Sequence, residues 1–332
     1  YDKLLIFGIG MLLKAILIRI IKQVYCHKKY KDECRVNYRN EFDMTNIKEL
    51  FSFAGWNLLG VLAYMFRNQG VSVVLNLFFT TTINAAYGIA NQLNSQLIMF
   101  SKAMLQAMSP HMVKTEGSGD RDKLIRLSLV TSKFSFYLYV IFSLPIYLEI
   151  EFIIGLWLVE VPESTILFCK IMILLSLVQQ FRSGITIATH AIGKIKEYQL
   201  LNSPVQLLSL PIGYFVLKLG YPAYTILLVI LIIEVITLII NIFFFKKLTG
   251  YSRSKFLLGV VFKCLACLIL AFFITHYIKY FFLNELNVLI RFIFVSISAF
   301  LIFLTTVYFL SLNKVEKNII KNFALKIKNR LK

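Results

Sequence analysis

The positions of the positive charges between long apolar runs constrain this chain more than any other feature. Nine apolar runs approach or exceed the roughly 20 residues with which a helix spans a bilayer; they cover residues 4–21, 50–79, 83–108, 124–148, 165–189, 200–217, 223–245, 256–275 and 291–310. Every second connecting segment is strongly basic, and together these segments hold 24 Lys and Arg at 22–48, 111–126, 191–198, 246–255 and 313–332. The opposite side keeps only Lys218, Lys279, Arg291 and at most Arg67. This asymmetry orients all nine spans together and predicts an all-α polytopic membrane protein whose basic loops and C-terminus face the cytoplasm.

The composition excludes an ordinary soluble domain and narrows the partners. Hydrophobic residues make up 58% of the chain and charged residues 16%, whereas about a quarter of a soluble domain is charged. The net charge of +19 comes from bases in short loops at membrane ends rather than from a folded basic domain. We therefore expect anionic lipid headgroups as partners of this charge, and no nucleic acid.

The spacing of the runs divides the chain into five parts. A first span at 1–21 is followed by a basic linker at 22–46, a block of six helices at 47–245, two further spans at 246–312 and a basic tail at 313–332. Because nine is an odd number and the first span lacks an upstream antiparallel partner, we expect the C-terminal part of a longer transporter. The tail repeats apolar residues at helical spacing with lysines between them. This predicts an amphipathic helix on the inner leaflet, with a solvated tail as the alternative.

The second run contains a charge that needs an explanation. It is about thirty residues long, and Arg67 and Gln69 lie near its middle. A charge at the centre of a membrane helix costs roughly 2.5–3.5 kcal/mol on insertion scales. Arg67 therefore either faces a polar cavity or snorkels from a shorter span to the outer interface.

The third run carries a polar stripe at helical spacing. Apart from a gap at Met99, its members recur at three- to four-residue steps: Asn84, Gly88, Asn91, Ser95, Lys102 and Gln106. Such a face cannot contact lipid. It either hydrogen-bonds neighbouring helices or lines a wet lumen, and the lysine favours the lumen.

The fourth and fifth runs add further candidates, Lys133, Gln179 and Arg182, although Lys133 and Arg182 lie close enough to the interface for snorkelling. With Arg67 and Lys102 they predict a cationic interior. Arginine suits bidentate contact with phosphate. The implied cargo is anionic and amphipathic, as a lipid pyrophosphate carrying sugars would be.

Glu234 is the one acidic residue deep in a run. It could bind a coupling proton or Na⁺, pair with Lys263 in the next run, or remain a neutral acid. Acidic residues also cluster after residue 148, but no histidine stands beside them at metal-ligand spacing. We expect neither catalysis, nor a metal, nor a cofactor.

Seven short motifs follow one another along the chain: FRNQG at 66–70, INAAYGIANQ at 83–92, MSPH at 108–111, LPIYLE at 144–149, LWL at 156–158, VPE at 161–163 and AIGKIKEY at 191–198. Their order and spacing resemble the seventh to eleventh helices of bacterial polysaccharide flippases. That family, which includes O-antigen and capsule exporters, lies within the multidrug/oligosaccharidyl-lipid/polysaccharide exporter superfamily.

The resemblance implies a fold and an activity. Members have two six-helix lobes around a central cavity, often with two extra helices, and turn lipid-linked oligosaccharides across the bacterial inner membrane by alternating access. Residues 1–21 would then be the last helix of an incomplete first lobe, 47–245 the second lobe and 246–312 the extra pair. Other polysaccharide assembly proteins would be partners. A multidrug or cation antiporter of the same superfamily and a membrane polysaccharide polymerase are the alternatives.

Overall fold

A computed structural model describes residues 3–30, 44–283, 285–313, 316 and 317. The middle of the predicted linker (31–43) and most of the predicted amphipathic tail (318–332) lie outside these residues. The linker's first residues are helical, because the first helix continues to Lys29 instead of ending near residue 21.

The described residues form helices and contain no strand. The helices are α1 (Lys3–Lys29), α2 (Met44–Phe78), α3 (Thr81–Gly117), α4 (Arg121–Leu148), α5 (Ile150–Trp157), α6 (Thr165–Ala191), α7 (Ile195–Leu207), α8 (Ser209–Lys218), α9 (Thr225–Thr249), α10 (Arg253–Phe256), α11 (Lys263–Phe282) and α12 (Val288–Thr306). A π-helical segment, Leu257–Phe262, joins α10 to α11, and a second one, Val307–Ser311, extends α12.

Seven helical segments of the described chain are long and apolar enough to cross a membrane: Ile47–Phe78, Arg121–Leu148, Thr165–Ala191, Ile195–Lys218, Thr225–Thr249, Arg253–Phe282 and Val288–Ser311. The chain is therefore an all-α, multi-pass membrane protein, as its sequence predicts. The other two predicted spans are also helical, as α1 and α3. Of these two, α3 is the less apolar because it carries the polar stripe.

The chain forms two compact units, Tyr1–Ser52 and Phe53–Lys332, with the boundary inside α2. In the second unit α6 is the central helix, and it packs against α3, α4 and α9. Gly184 permits the close approach of α4, since a Cβ there would lie 2.0 Å from the Ser128 carbonyl oxygen. This packing brings polar side chains from several helices toward α6.

Proline interrupts the sixth apolar run, as expected from its missing backbone donor. Pro204 lies inside α7, and Pro211 cannot donate to the carbonyl oxygen of Leu207. The helix breaks at Leu208, which separates α7 from α8.

The last two spans form a pair that packs against α4. Cys264, Cys267 and Phe303 are fully buried in this contact. The opposite side of the pair exposes large aromatic residues such as Phe273 and Phe309. The described cysteines are free thiols, and the buried ones serve as apolar packing.

Candidate functional site

Arg67 points into the helical bundle rather than snorkelling away from it. On α2 it precedes Val71, Val74 and Leu75 at helical spacing, and all of them are buried. The guanidinium is 2% exposed, and its Nη1 donates to Oε1 of Glu234 at 2.6 Å. Its central carbon lies 5.2 Å from the centre of the Tyr64 ring. Arg67 is therefore packed inside the bundle and paired with Glu234, and its role in a cargo cavity stays a prediction.

Glu234 is the centre of a cluster that links three helices. It lies on α9 and is fully buried. From α6, Gln179 Nε2 donates to Glu234 Oε1 at 2.9 Å, and Arg182 Nη2 lies 2.8 Å from Glu234 Oε2. Gln179 and Arg182 are three residues apart, so one face of α6 presents both. We call Arg67, Gln179, Arg182 and Glu234 the Glu234 cluster.

The sequence left three roles open for Glu234, and the structure adds a fourth. Pairing with Lys263 is wrong, because the Lys263 amine donates to Asn313 Oδ1 at 3.4 Å. Glu234 instead pairs with two arginines of its own helical block. Sequence reasoning placed Arg67 and Arg182 in one polar interior but did not join Glu234 to them.

The Glu234 cluster carries an excess of positive charge. Two guanidinium groups face one carboxylate, so the ionised cluster has a formal charge of +1. The Nε of Arg67 is buried and has no hydrogen-bond acceptor among the described residues. Buried ion pairs are stable only when their partners satisfy one another. The cluster therefore retains an unused donor. It also retains Glu234 Oε2, which is ion-paired with Arg182 but accepts no hydrogen bond from a described residue. Arg182, at 13% exposure, is the most accessible cation of the cluster.

The polar stripe of α3 faces away from the packed core. Ser95 and Lys102 are exposed and Asn91 is half-buried, while Tyr87 and Leu97 are buried on the packed side of the helix. The Ser95 hydroxyl donates to the carbonyl oxygen of Asn91 on its own helix at 2.7 Å. Among the described residues Lys102 has neither a hydrogen-bond nor an ion-pair partner. This part of the stripe does not bind neighbouring helices.

Two other stripe positions behave differently. Asn84 Oδ1 accepts from the Ser72 hydroxyl of α2 at 2.7 Å, which is an interhelical hydrogen bond. Gln69, the remaining candidate on α2, is exposed. The structure therefore brings together Arg67, Gln179 and Arg182, and it leaves Gln69 outside the cluster.

Asn94 has a role that sequence reasoning missed. Its Oδ1 accepts from the Tyr139 hydroxyl at 3.0 Å and from the Ser176 hydroxyl at 2.9 Å, which ties α3 to α4 and α6. Ala86, Ala90 and Asn94 follow one another at four-residue steps and are buried. The small residues on this face were the signal of close helix packing.

Lys133 lies apart from the Glu234 cluster, although the sequence grouped it with Arg67 and Arg182. Ser132 faces α6, where its hydroxyl accepts from Gly184 N at 3.1 Å. Because successive helical residues point in different directions, Lys133 faces the segment after α12. Its amine forms an ion pair with Glu316 at 3.1 Å.

A second buried carboxylate, Glu149, directly follows the C-terminal end of α4. Glu149 is 2% exposed, and Arg291 binds it through Nε and Nη2, both at 3.1 Å. The Lys279 amine lies 3.1 Å from Glu149 Oε1 and donates to the Leu148 carbonyl oxygen at 2.5 Å. We call these three ionic residues the Glu149 cluster. It borders a polar cavity of about 310 Å³ that also reaches Lys170 and His276.

No protein-family profile, curated protein or solved structure matches the chain. In the described part of the chain, His, Cys, Asp and Glu side chains form no group that could hold a metal ion. The function must therefore be argued from the multi-pass architecture, which is consistent with a membrane transporter in general, and from the charged clusters.

Proposed function

We propose that this protein is a flippase that moves a lipid-linked oligosaccharide across the bacterial inner membrane by alternating access, for surface polysaccharide synthesis. The Glu234 cluster carries this proposal. Its excess positive charge lies inside the block of six predicted spans, where a bare cation is costly and needs a reason. An anionic cargo supplies that reason.

The exposed face of α3 supports the same reading. Ser95 and Lys102 lie on the side of α3 away from α4 and α6, and they have no side-chain partner on another described helix. A polar face that contacts neither lipid nor packed protein is suited to a water-filled lumen. Amides and hydroxyls there would hydrogen-bond sugars, while Lys102 would attract phosphate.

The chemistry of transfer follows from the unequal exposure of the two arginines. Arg182 is the accessible cation. Its Nη2 contacts Glu234, and the other N–H groups of its guanidinium are suited to donate to a phosphate oxygen. A bound phosphate would compete with the Glu234 carboxylate for the guanidinium groups. Anion binding would thereby weaken the ion pairs between α9 and its neighbours, which gives cargo a way to favour a different arrangement of the helices.

The orientation and the partners belong to the same proposal. The basic segments lie on the cytoplasmic side, together with the C-terminus, as the distribution of Lys and Arg predicts. The lipid pyrophosphate enters from that side, and other polysaccharide assembly proteins supply and receive it. Residues 47–245 act as one transport lobe, and 246–312 as an accessory pair of spans.

The decisive experiment deletes the gene that encodes this chain and complements it. The lipid-linked repeat unit and the surface polymer are then followed together. We expect deletion to abolish surface polymer while the repeat unit accumulates on the cytoplasmic face. A single repeat unit that reaches the outside but is not polymerised would instead identify a polymerase. Normal polymer with new drug sensitivity would identify an efflux pump.

A variant on α6 tests the role of the Glu234 cluster within this function. Arg182→Gln should reduce surface polymer strongly, because it removes the accessible cation while leaving Arg67 to neutralise Glu234. Lys170→Gln on the same helix removes a cation outside the cluster and is the matched control. Membrane levels of both variants are compared by immunoblot. Normal export by a stably produced Arg182→Gln protein would contradict the proposed phosphate contact.

A further inference from the structure

A basic cavity lies between the first part of α4, the π-helical segment after α10 and the residues that follow α12. Its volume is about 390 Å³. It is distinct from the Glu234 cluster, since none of that cluster's four residues lines it. The lining combines cations, apolar side chains and one carboxylate: Lys123, Arg126, Leu127, Leu129, Val130, Lys133, Tyr251, Lys255, Gly259, Val260, Asn313 and Glu316.

The cavity is strongly cationic. Four lysines and arginines line it against the single carboxylate of Glu316, which is already bound by Lys133 at 3.1 Å. Lys123, Arg126 and Lys255 are exposed and form no ion pair with any described residue. The tail cannot supply the missing acids through its side chains, because residues 318–332 contain no Asp or Glu. In the described part of the chain, these three cations therefore line the cavity without an ion-pair partner.

Most of the remaining lining is apolar. The three exposed cations occur near the starts of the two apolar segments Arg121–Leu148 and Arg253–Phe282, and Leu127, Val130 and Val260 follow a few residues later in the same segments. A site with a cationic rim and an apolar wall fits an amphipathic anion. A small soluble anion would leave that apolar wall without a partner.

Tyr251 adds a hydrogen-bond donor to the rim. It lies in the short connection between α9 and α10, outside the membrane-spanning segments. Burial raises the pKa of its hydroxyl, so the group stays protonated and can donate to a phosphate oxygen. Tyrosine is also enriched where membrane and water meet.

We propose that this cavity binds an anionic phospholipid, with the phosphate between Lys123, Arg126 and Lys255 and the glycerol and upper acyl chains against Leu127 and Val260. The bound lipid would join α4 to the accessory pair of spans at their basic ends. This site is independent of the proposed cargo route, and it would stand if the flippase function failed.

Gly259 offers a variant that adds a bulky side chain to the lining of the cavity. A Cβ added there meets no atom within 4 Å, so the side chain of Gly259→Leu would enter open space without a backbone clash. Gly155→Leu is the matched control, because Gly155 is also unobstructed but lies in α5, away from the cavity. The charge variant is the triple substitution Lys123→Gln, Arg126→Gln and Lys255→Gln.

The test is native mass spectrometry of the full, delipidated chain in detergent, titrated with dioleoyl phosphatidylglycerol or dioleoyl phosphatidylcholine. We expect the wild type to bind one phosphatidylglycerol at least about tenfold more tightly than phosphatidylcholine, since each basic residue strengthens attraction to anionic lipid. The triple variant and Gly259→Leu should each lose that preference, while Gly155→Leu should keep it.

Several outcomes would overturn the proposal. Equal affinity for the two lipids would do so, as would an unchanged preference in Gly259→Leu. Complete displacement of the phosphatidylglycerol by millimolar glycerol phosphate would show that the cavity takes a soluble phosphate ester rather than a lipid. If the triple variant fails to fold, the Gly259 and Gly155 pair still decides the question, because neither of those substitutions removes a charge.

Discussion

Two buried carboxylates, Glu234 and Glu149, each have two cationic partners, but the geometry of the contacts and the exposure of the partners differ. Each faces two cations. Arg291 binds Glu149 through two nitrogens, whereas Arg67 and Arg182 each contact Glu234 through one nitrogen. The partners of Glu149 are 19–23% exposed and those of Glu234 only 2–13%.

This difference shows which cluster has its hydrogen bonds paired and which retains unpaired hydrogen-bonding atoms. Bidentate geometry and the added bond from Lys279 to Leu148 make the Glu149 cluster a tie between the end of α4 and the last two spans. In the Glu234 cluster the Nε of Arg67 has no acceptor among the described residues. The two clusters carry the same formal charge, so the difference lies in their hydrogen bonds. A cluster with unpaired hydrogen-bonding atoms is suited to exchange partners, and one whose carboxylate is bound through both oxygens is suited to hold helices together.

The largest effect is expected from Glu234→Gln. It leaves Arg67 and Arg182 without a counter-charge, and breaking a buried ion pair in this way costs ~3–5 kcal/mol. The measurement is the free energy of unfolding in detergent, followed by tryptophan fluorescence during a denaturant titration. Glu151→Gln, which removes an exposed carboxylate from the neighbourhood of the Glu149 cluster, is the control. Equal stabilities of the Glu234 variant and this control would refute the assignment.

A smaller loss is expected from Glu149→Gln. Lys279 and Arg291 are partly exposed and can turn toward water, so the penalty is about 1–3 kcal/mol. The same titration measures it. A loss larger than that of Glu234→Gln would reverse the proposed contrast between the two clusters.

A double-mutant cycle sharpens the comparison inside the Glu234 cluster. Coupling of Glu234 to Arg67 should exceed its coupling to Arg182, because Arg67 is the more deeply buried and its bond is the shorter one. Both couplings should lie within roughly 0.5–3 kcal/mol, as for other contacting pairs. The cycle uses Arg67→Met, Arg182→Met and Glu234→Gln singly and in pairs. A stronger coupling to Arg182 would contradict the ranking.

The smallest effect on stability is expected at Lys102. It is exposed and has no ion pair with a described residue, so Lys102→Gln should change the unfolding free energy by less than about 0.5 kcal/mol. If the exposed face of α3 lines the cargo route, the same variant should nevertheless reduce surface polymer. Unchanged polymer together with unchanged stability would remove Lys102 from the proposed route.

Part of the candidate site could be predicted from local spacing. Gln179 and Arg182 lie on one face of a helix because they are three residues apart, and Arg67 shares its helix face with buried valines. The position of Lys133 could not be predicted this way. Its neighbour Ser132 faces α6. The next residue along the helix points in a different direction, so Lys133 contacts Glu316, which is 183 positions away in the chain.

The sequence by itself determined the class of the molecule, because long apolar runs must leave water and the bases must remain at the membrane ends. It also marked Arg67, Lys279 and Arg291 as exceptions to the charge asymmetry. Only the tertiary structure decided that each of these exceptions has a carboxylate partner, Glu234 for the first and Glu149 for the other two. Ion pairs between distant helices depend on which helix faces meet, and that is settled by packing across the whole bundle rather than by the spacing within any one run.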